Sequence, residues 1–205
     1  MIEDEPEIPT ELVCKYTGIA RKKAQRLEEL INEFFEITRF STHKLSLEEV
    51  PTNLSRMLMQ ITYEFNPILT EKGLEWDLQI AENVEILCDA DKLERAIDNL
   101  IRNAVNYSYS NTKIFFSLTK TNDSVRICVQ NKGPTIPPDK LERIFEQFYR
   151  LDASRSSDTG GAGLGLAIAK EIVELHQGTI SAYSEDENIQ FVIQLPIHSQ
   201  KIVRS

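Results

Sequence analysis

Ala20, Ala24, Leu27, Ile31, Phe34 and Thr38 recur at alternating intervals of four and three residues, along a stretch without proline from about Thr10 to Ser41. That is a 3.5-residue period, the seam of a helix packed lengthwise against other helices. Leu30, Phe35 and Ile37 widen the apolar face. A helix with so broad a stripe requires a partner, and no other segment of the chain matches it in length and pattern. The reading is one long bundle helix whose partner is missing or belongs to another subunit. A helix folded back on a neighbouring domain is the alternative.

From about Leu45 to the end the pattern changes, and two regions follow: 1–44 and 45–205. A short strand is expected at Leu45–Val50, before Pro51. Thr52 or Asn53 can cap a helix running to about Thr70 and closed near Gly73. Strands follow at Trp76–Ile80 and Glu85–Cys88. Asp89, Ala90 and Asp91 then open a helix with Leu93, Ile97, Leu100, Ile101, Ala104 and Val105 on its apolar face. Lys113–Lys120 and Ser124–Asn131 read as a hairpin turning at Thr121–Asp123. A short helix is expected near Asp139–Phe145, a mobile loop over Asp152–Gly163 and a helix over Leu164–His176. Strands at Thr179–Ser184 and Ile189–Leu195 complete the chain. Interleaved helices and antiparallel strands predict an α+β fold, with helices layered on one face of a mixed sheet.

Composition narrows the function. Hydrophobic residues make up 41% of the 205 and charged residues 27%, the balance of a globular protein. A net charge of −9 argues against nucleic acid and anionic membrane surfaces as partners. No apolar run reaches the length of a membrane span, and the acidic, proline-bearing start resembles no targeting peptide. Cys14, Cys88 and Cys128 are too far apart for a metal site and are expected as reduced core thiols.

Four elements carry chemistry. Asn99 and Asn103 stand at i and i+4, so both amides project from one helix face. Their carbonyl oxygens suit magnesium, though a pair of solvated amides is the simpler account. Gly160-Gly161-Ala162-Gly163-Leu164-Gly165-Leu166 opens a helix, and backbone N–H groups there can wrap a phosphate. It is neither a Walker loop nor the dinucleotide fingerprint. Asn131-Lys132-Gly133-Pro134-Thr135-Ile136-Pro137 puts a polar side chain and a tight turn after a strand, either an adenine edge-binder or a mere turn. Phe145-Glu146-Gln147-Phe148-Tyr149-Arg150 precedes the serine-rich loop, as a loop hinge or as core aromatics. Arg150 or Arg155 can reach phosphates as charge-assisted donors.

The order of these elements resembles that of sensor histidine kinases. Asn99–Ala104 is similar to their N box, Asn131–Pro137 to the G1 box, Ile144–Arg150 to the F box and Gly161–Leu166 to the G2 box. Ile31–Arg39 and Phe148–Ile172 resemble most the vancomycin-resistance sensor kinases of enterococci, the VanS type. The resemblance implies a Bergerat (GHKL) ATP-binding α/β sandwich, shared with gyrase, Hsp90 and MutL. It implies ATP and Mg2+ as cofactors, with Asn103 on magnesium and the phosphates and Asn99 one turn earlier. It places Tyr107 beside the nucleotide, Asn131 on the adenine amine and Gly133 making room. It puts Gly161, Gly163, Leu164 and Gly165 near the phosphates and makes 152–160 a lid.

Some features depart from the family pattern, and one, Asn99, fits it while setting the chain apart from related ATPases. Asn131 stands where the family has aspartate, which weakens the adenine contact. Asn106 replaces a common lysine, so a phosphate-neutralising charge is lost or comes from Arg102 or Arg155. Asn99 stands where related ATPases carry a water-activating glutamate, which favours phosphoryl transfer over hydrolysis. The family's His-Glu/Asp-x-x-x-Pro acceptor motif surrounds none of His43, His176 and His198, each of which is expected at the surface. The chain is expected to begin in the turn before the second bundle helix. Residues 1–44 would then be part of a dimerisation and phosphoacceptor region, and 45–205 the catalytic domain. The resemblance further implies a membrane-anchored parent with a cytoplasmic catalytic domain, homodimerisation through the bundle helices and a cognate response regulator. An anti-sigma-factor-type serine kinase shares the fold but calls for an acidic residue at Asn99. A nucleotide-dead interaction module is the other rival.

Overall fold

A computed structural model describes residues 10–41, 46–151 and 162–197. The chain divides into two compact units at residue 44.

In the first unit, α1 (Thr10–Ser41) is one uninterrupted helix. Its described apolar residues, Leu12, Val13, Tyr16, Ile19, Leu27 and Ile31, are exposed. The side chains of Leu30, Phe34, Phe35, Ile37 and Thr38, which carry the rest of the seam, lie outside the described residues. Cys14, expected in a core, is exposed, because it lies on a helix with no core of its own.

The second unit is a mixed five-stranded sheet layered with three helices. Its strands are β2 (Glu75–Ile80), β4 (Lys113–Lys120), β5 (Ser124–Lys132), β6 (Thr179–Glu185) and β7 (Asn188–Pro196). They lie in the order β2-β4-β5-β7-β6. β2 joins β4 in parallel, and every other pairing is antiparallel. The period-two burial of the strands shows which face is covered. Phe116, Val129 and Phe191 are register partners and fully buried, as are Leu118, Ile127 and Ile193. On the opposite face Thr119, Arg126 and Gln194 are exposed, whereas the neighbouring row of Ser117, Cys128 and Val192 is buried as well. The helices α2 (Leu54–Glu71), α3 (Ala90–Tyr107) and α4 (Gly165–Leu175) bury Leu58, Leu93, Ile97, Leu100, Ile101, Ile168 and Ile172 against that core.

Helix starts follow local chemistry. Asn53 Oδ1 accepts from the Arg56 N–H at 2.9 Å and Asp89 Oδ1 from the Lys92 N–H at 3.2 Å. The strand expected at 45–50 instead covers Val50–Asn53 as β1, paired only with β3 (Glu85–Cys88). Pro51 is accommodated because this two-stranded ribbon leaves an open edge. The helix expected at 139–145 is two separate 3-10 turns, Pro138–Lys140 and Arg143–Phe145. Each closes with an i→i+3 bond, Leu141 N–H to Pro138 O and Glu146 N–H to Arg143 O.

Candidate functional site

Two asparagines break the rule that buried polar groups find partners. Along β5, Val125, Ile127, Val129 and Asn131 all point to the helix layer, so Asn131 ends an apolar column with a carboxamide. It is 1% exposed, and among the described residues neither its Oδ1 nor its Nδ2 makes a hydrogen bond. The buried Nδ2 of Asn99, on α3, is unpartnered as well. Each such atom costs about 1–3 kcal/mol unless something satisfies it. The sites fit a ligand offering both a donor and an acceptor to Asn131 and an acceptor to Asn99. An adenine edge and a phosphate oxygen have that chemistry.

Glycines shape the walls beside these amides. A Cβ on Gly133 would stand 2.2 Å from the Tyr107 carbonyl oxygen and 3.3 Å from Asn131 Nδ2. The room at Gly133 is thus taken by the α3 C-terminus, and Tyr107 enters the site first through its backbone. The Tyr107 ring is 37% exposed. Gly165, the first residue of α4, would place a Cβ 3.2 Å from Asn99 Oδ1. Leu164 is buried at the N-cap position and offers no side-chain cap, so the first N–H groups of α4 remain for another acceptor. Gly163 adopts φ +77°, and a Cβ there would meet the Phe148 carbonyl carbon and the Tyr149 oxygen at 2.9 Å. Its own carbonyl accepts from the Phe148 N–H at 2.9 Å, and Phe148 is itself left-handed at φ +63°. The glycine segment is thereby fastened to the aromatic one on either side of residues 152–161.

The structure therefore groups Asn99 with Leu164 and Gly165, and Asn131 with Gly133 and Tyr107. Asn103 is half-buried one turn beyond Asn99 on the same helix face. Arg155, Gly160 and Gly161, and the 152–160 lid expectation, lie outside the described residues.

Of the two candidates for the missing charge, Arg102 is committed elsewhere. It pairs with Asp98 at 3.6 Å and covers the Phe65 ring at 5.3 Å, on the α2 side of α3. Burial pushes the Asp98 carboxyl up, and Arg102 partly offsets this. Asn106 instead accepts from Lys72 Nζ at 3.0 Å, and the same ammonium caps the Val105 carbonyl at 3.2 Å. Cys88 and Cys128 are buried thiols, and burial raises both further from ionisation. Among the described residues no three His, Cys, Asp or Glu side chains converge to hold a metal.

The sequence reading missed what holds the Gly133 loop. The β6–β7 turn has φ +47° at Asp186 and +60° at Glu187. The Glu187 carbonyl accepts from the Gly133 N–H at 2.8 Å, and its N–H donates to Thr135 Oγ1 at 2.9 Å. Ser184 Oγ accepts from the Ile136 N–H, and Tyr109 Oη donates to Glu187 Oε1 at 3.1 Å. The strand ends expected at Ser184 and Ile189 place a turn here, but nothing local announces that it holds the Gly133 loop. His176, expected at the surface, is 5% exposed. Its ring turns inward so that Nε2 accepts from the Asp89 N–H at 3.0 Å, a partner too far away in sequence to be read locally.

Residues 88–199, just over half of the chain, match the family described as histidine kinase-, DNA gyrase B- and HSP90-like ATPase. The chain is 48% identical over 196 residues to the sensor protein VanSC of Enterococcus gallinarum, covering 96% of this chain and 54% of that protein. It is 45% identical to the sensor protein VanS of Enterococcus faecium, over 96% and 51% respectively. It thus spans about half the length of these relatives. Full-length ShkA, solved in complex with AMPPNP, superposes with a TM-score of 0.80 at 26% identity, over 90% of this chain and 39% of that one. The sheet order, the amides aimed into the helix layer and the family match agree: the chain belongs to the histidine kinase-, DNA gyrase B- and HSP90-like ATPases.

Proposed function

We propose that residues 45–205 are the ATP-binding catalytic domain of a two-component sensor histidine kinase, moving the γ-phosphoryl group of ATP to a histidine. The observation that carries this reading is the set of three buried amide atoms on Asn99 and Asn131 that have no partner among the described residues. Asn131 accepts from the adenine amine and donates back to the ring. Asn99 and Asn103 meet the phosphates, and the N–H groups opening α4 at Gly165, with Gly163 and Leu164 before it, supply further donors. Magnesium, when bound, neutralises phosphate charge and orients the transferred group.

The reaction breaks the bond between the γ-phosphorus and its bridging oxygen and forms a bond from phosphorus to an imidazole nitrogen, releasing ADP. A neutral imidazole already carries the attacking lone pair, so no strong base is required. Asn99 cannot take a proton from water, which favours transfer over hydrolysis. Catalysis is then mainly positioning and charge stabilisation.

The accepting histidine is supplied by another segment or chain. His176 is buried with both ring nitrogens engaged, and none of the three histidines has the acceptor motif. Residues 1–44 contribute one helix of a dimeric bundle, and an aspartate of a response regulator receives the phosphoryl group next. The high identity to VanSC and VanS supports a role in signalling linked to glycopeptide resistance, in a parent anchored in the bacterial membrane. Among the described residues no helix is long and apolar enough to cross a membrane.

Calorimetric titration with AMPPNP and magnesium tests the reading. Binding by the wild type and its loss in Asn103→Ala are expected, as is no radiolabel from ATP on this chain alone. Absence of binding by the wild type, or a stable phosphohistidine on this chain, overturns it.

A further inference from the structure

Helices α3 and α4 are clasped at two places, and only one of them belongs to the nucleotide site. At one end the Asn99 amide lies against Gly165. At the other, the Asp89 backbone N–H at the start of α3 donates to His176 Nε2, just past the end of α4, at 3.0 Å. From Asp89 to Asn99 is ten residues and from Gly165 to His176 eleven, so both spans are about 15–17 Å at 1.5 Å per residue. Equal spans joined at both ends make an antiparallel frame whose splay and slide are set by the two contacts together.

The His176 contact has a defined chemistry. Its Nδ1 lies 2.8 Å from the Ile172 carbonyl, which can only accept, so Nδ1 carries the proton. Its Nε2 faces an N–H, so Nε2 carries the lone pair. The ring is the neutral Nδ1–H tautomer. Asp89 is meanwhile a junction. Its carboxylate accepts from the Glu48 N–H at 3.0 Å, from the Lys92 N–H and from the Lys92 ammonium. Segment 46–49, through which the chain arrives from α1, is thereby tied to the same residue that receives His176.

We propose that His176 is a positioning residue for the nucleotide site: Nε2 fixes the far end of the α3–α4 frame, and through Asp89 it couples that frame to segment 46–49. The near end, at Asn99 and Gly165, is where the phosphates are placed above, so this inference rests on that placement. A shift of the entering segment at Glu48 moves Asp89, and the frame transmits it to the Asn99–Gly165 contact. His176 touches no reacting atom.

The test uses the whole 205-residue chain. Long-range proton–nitrogen NMR of the wild type should show Nε2 without a proton and Nδ1 with one; a protonated Nε2 overturns the proposal without any variant. His176→Phe removes the acceptor at similar volume. It should weaken AMPPNP–magnesium about tenfold and speed hydrogen exchange at the Asp89 and Glu48 amides. His176→Gln, whose carbonyl can accept, should recover most of both. A folded His176→Phe with wild-type affinity and wild-type exchange overturns the proposal, as does a Gln variant no better than Phe. If His176→Phe does not fold, the wild-type ring nitrogens and the Gln variant decide. Failure of the wild type to bind AMPPNP refutes the kinase reading, whereas the ring tautomer and the amide exchange still judge the His176 clasp.

Discussion

Asn99 Oδ1 lies 3.2 Å from where a Cβ on Gly165 would stand, so the first residue of α4 and the third turn of α3 meet where even a methyl group would press on the carboxamide. This contact brings a carboxamide to the open N-terminus of a helix. Gly165→Ala gains up to about 1 kcal/mol of helix propensity but pushes Asn99 aside. Thermal stability should stay within a few degrees of wild type, while AMPPNP affinity falls roughly tenfold. Paired melting and titration curves check the split.

The unpartnered amide of Asn131 sets stability against binding. Asn131→Leu removes two unsatisfied atoms from a site only 1% exposed. The nucleotide-free protein should gain about 1–3 kcal/mol in denaturant unfolding and lose detectable AMPPNP binding. Asn131→Asp should bind adenine nucleotides more tightly, roughly tenfold, since a carboxylate is the stronger acceptor.

Gly133→Ala should be the most damaging small change in the site. Its Cβ would lie 2.2 Å from the Tyr107 carbonyl, a backbone atom that cannot rotate away. A loss of about 2–4 kcal/mol is expected, read as a lowered denaturant midpoint. Gly163→Ala combines a left-handed φ of +77° with contacts at 2.9 Å to residues 148 and 149, and proteolysis between residues 148 and 163 should become faster.

Acid should weaken the fold through Asp89. Burial works against its charge, but hydrogen bonds from Lys92 Nζ and from the Glu48 and Lys92 N–H groups outweigh it and hold the carboxyl below its ordinary value. A depressed carboxyl stabilises fully above its unfolded value of about 3.9 and loses that contribution as pH falls through the folded value. Asp89→Asn should therefore cost about 1–2 kcal/mol at pH 6 and almost nothing near pH 2. Urea midpoints at the two pH values measure the difference.

Local signals were legible where local chemistry decides structure. The cap at Asp89, the β4–β5 hairpin and the glycine-opened α4 all follow from neighbours within a few residues, and all stand where the sequence places them. What escaped depends on distant partners. The β1 strand is set by pairing Val50 with Cys88, so Pro51 fell inside it and not after it. His176 looked like a surface residue ending a helix because its reason to be buried, the Asp89 N–H, lies 87 positions upstream. The candidate site was proposed from its asparagines and glycines, and of these Asn99 stands beside Gly165 and Asn131 beside Gly133. It was illegible in the support that the Asp186–Glu187 turn gives the Gly133 loop, because Gly133 and Thr135 lie far upstream in sequence.

Two hairpins of this sheet should differ sharply in how they accept extra residues. Thr121 bonds only within its own turn, to Ser124, and the turn's backbone reaches outward only through the Asp123 carbonyl, which accepts from the Ile197 N–H near the chain's end, so an epitope inserted at 122–123 should cost little beyond that contact. The Asp186–Glu187 bend spends its N–H and carbonyl on Thr135 and Gly133. Lengthening it by a single residue would let the Gly133 loop swing loose, making residues 186–187 a poor place for a label and a sensitive place for natural variation in nucleotide affinity.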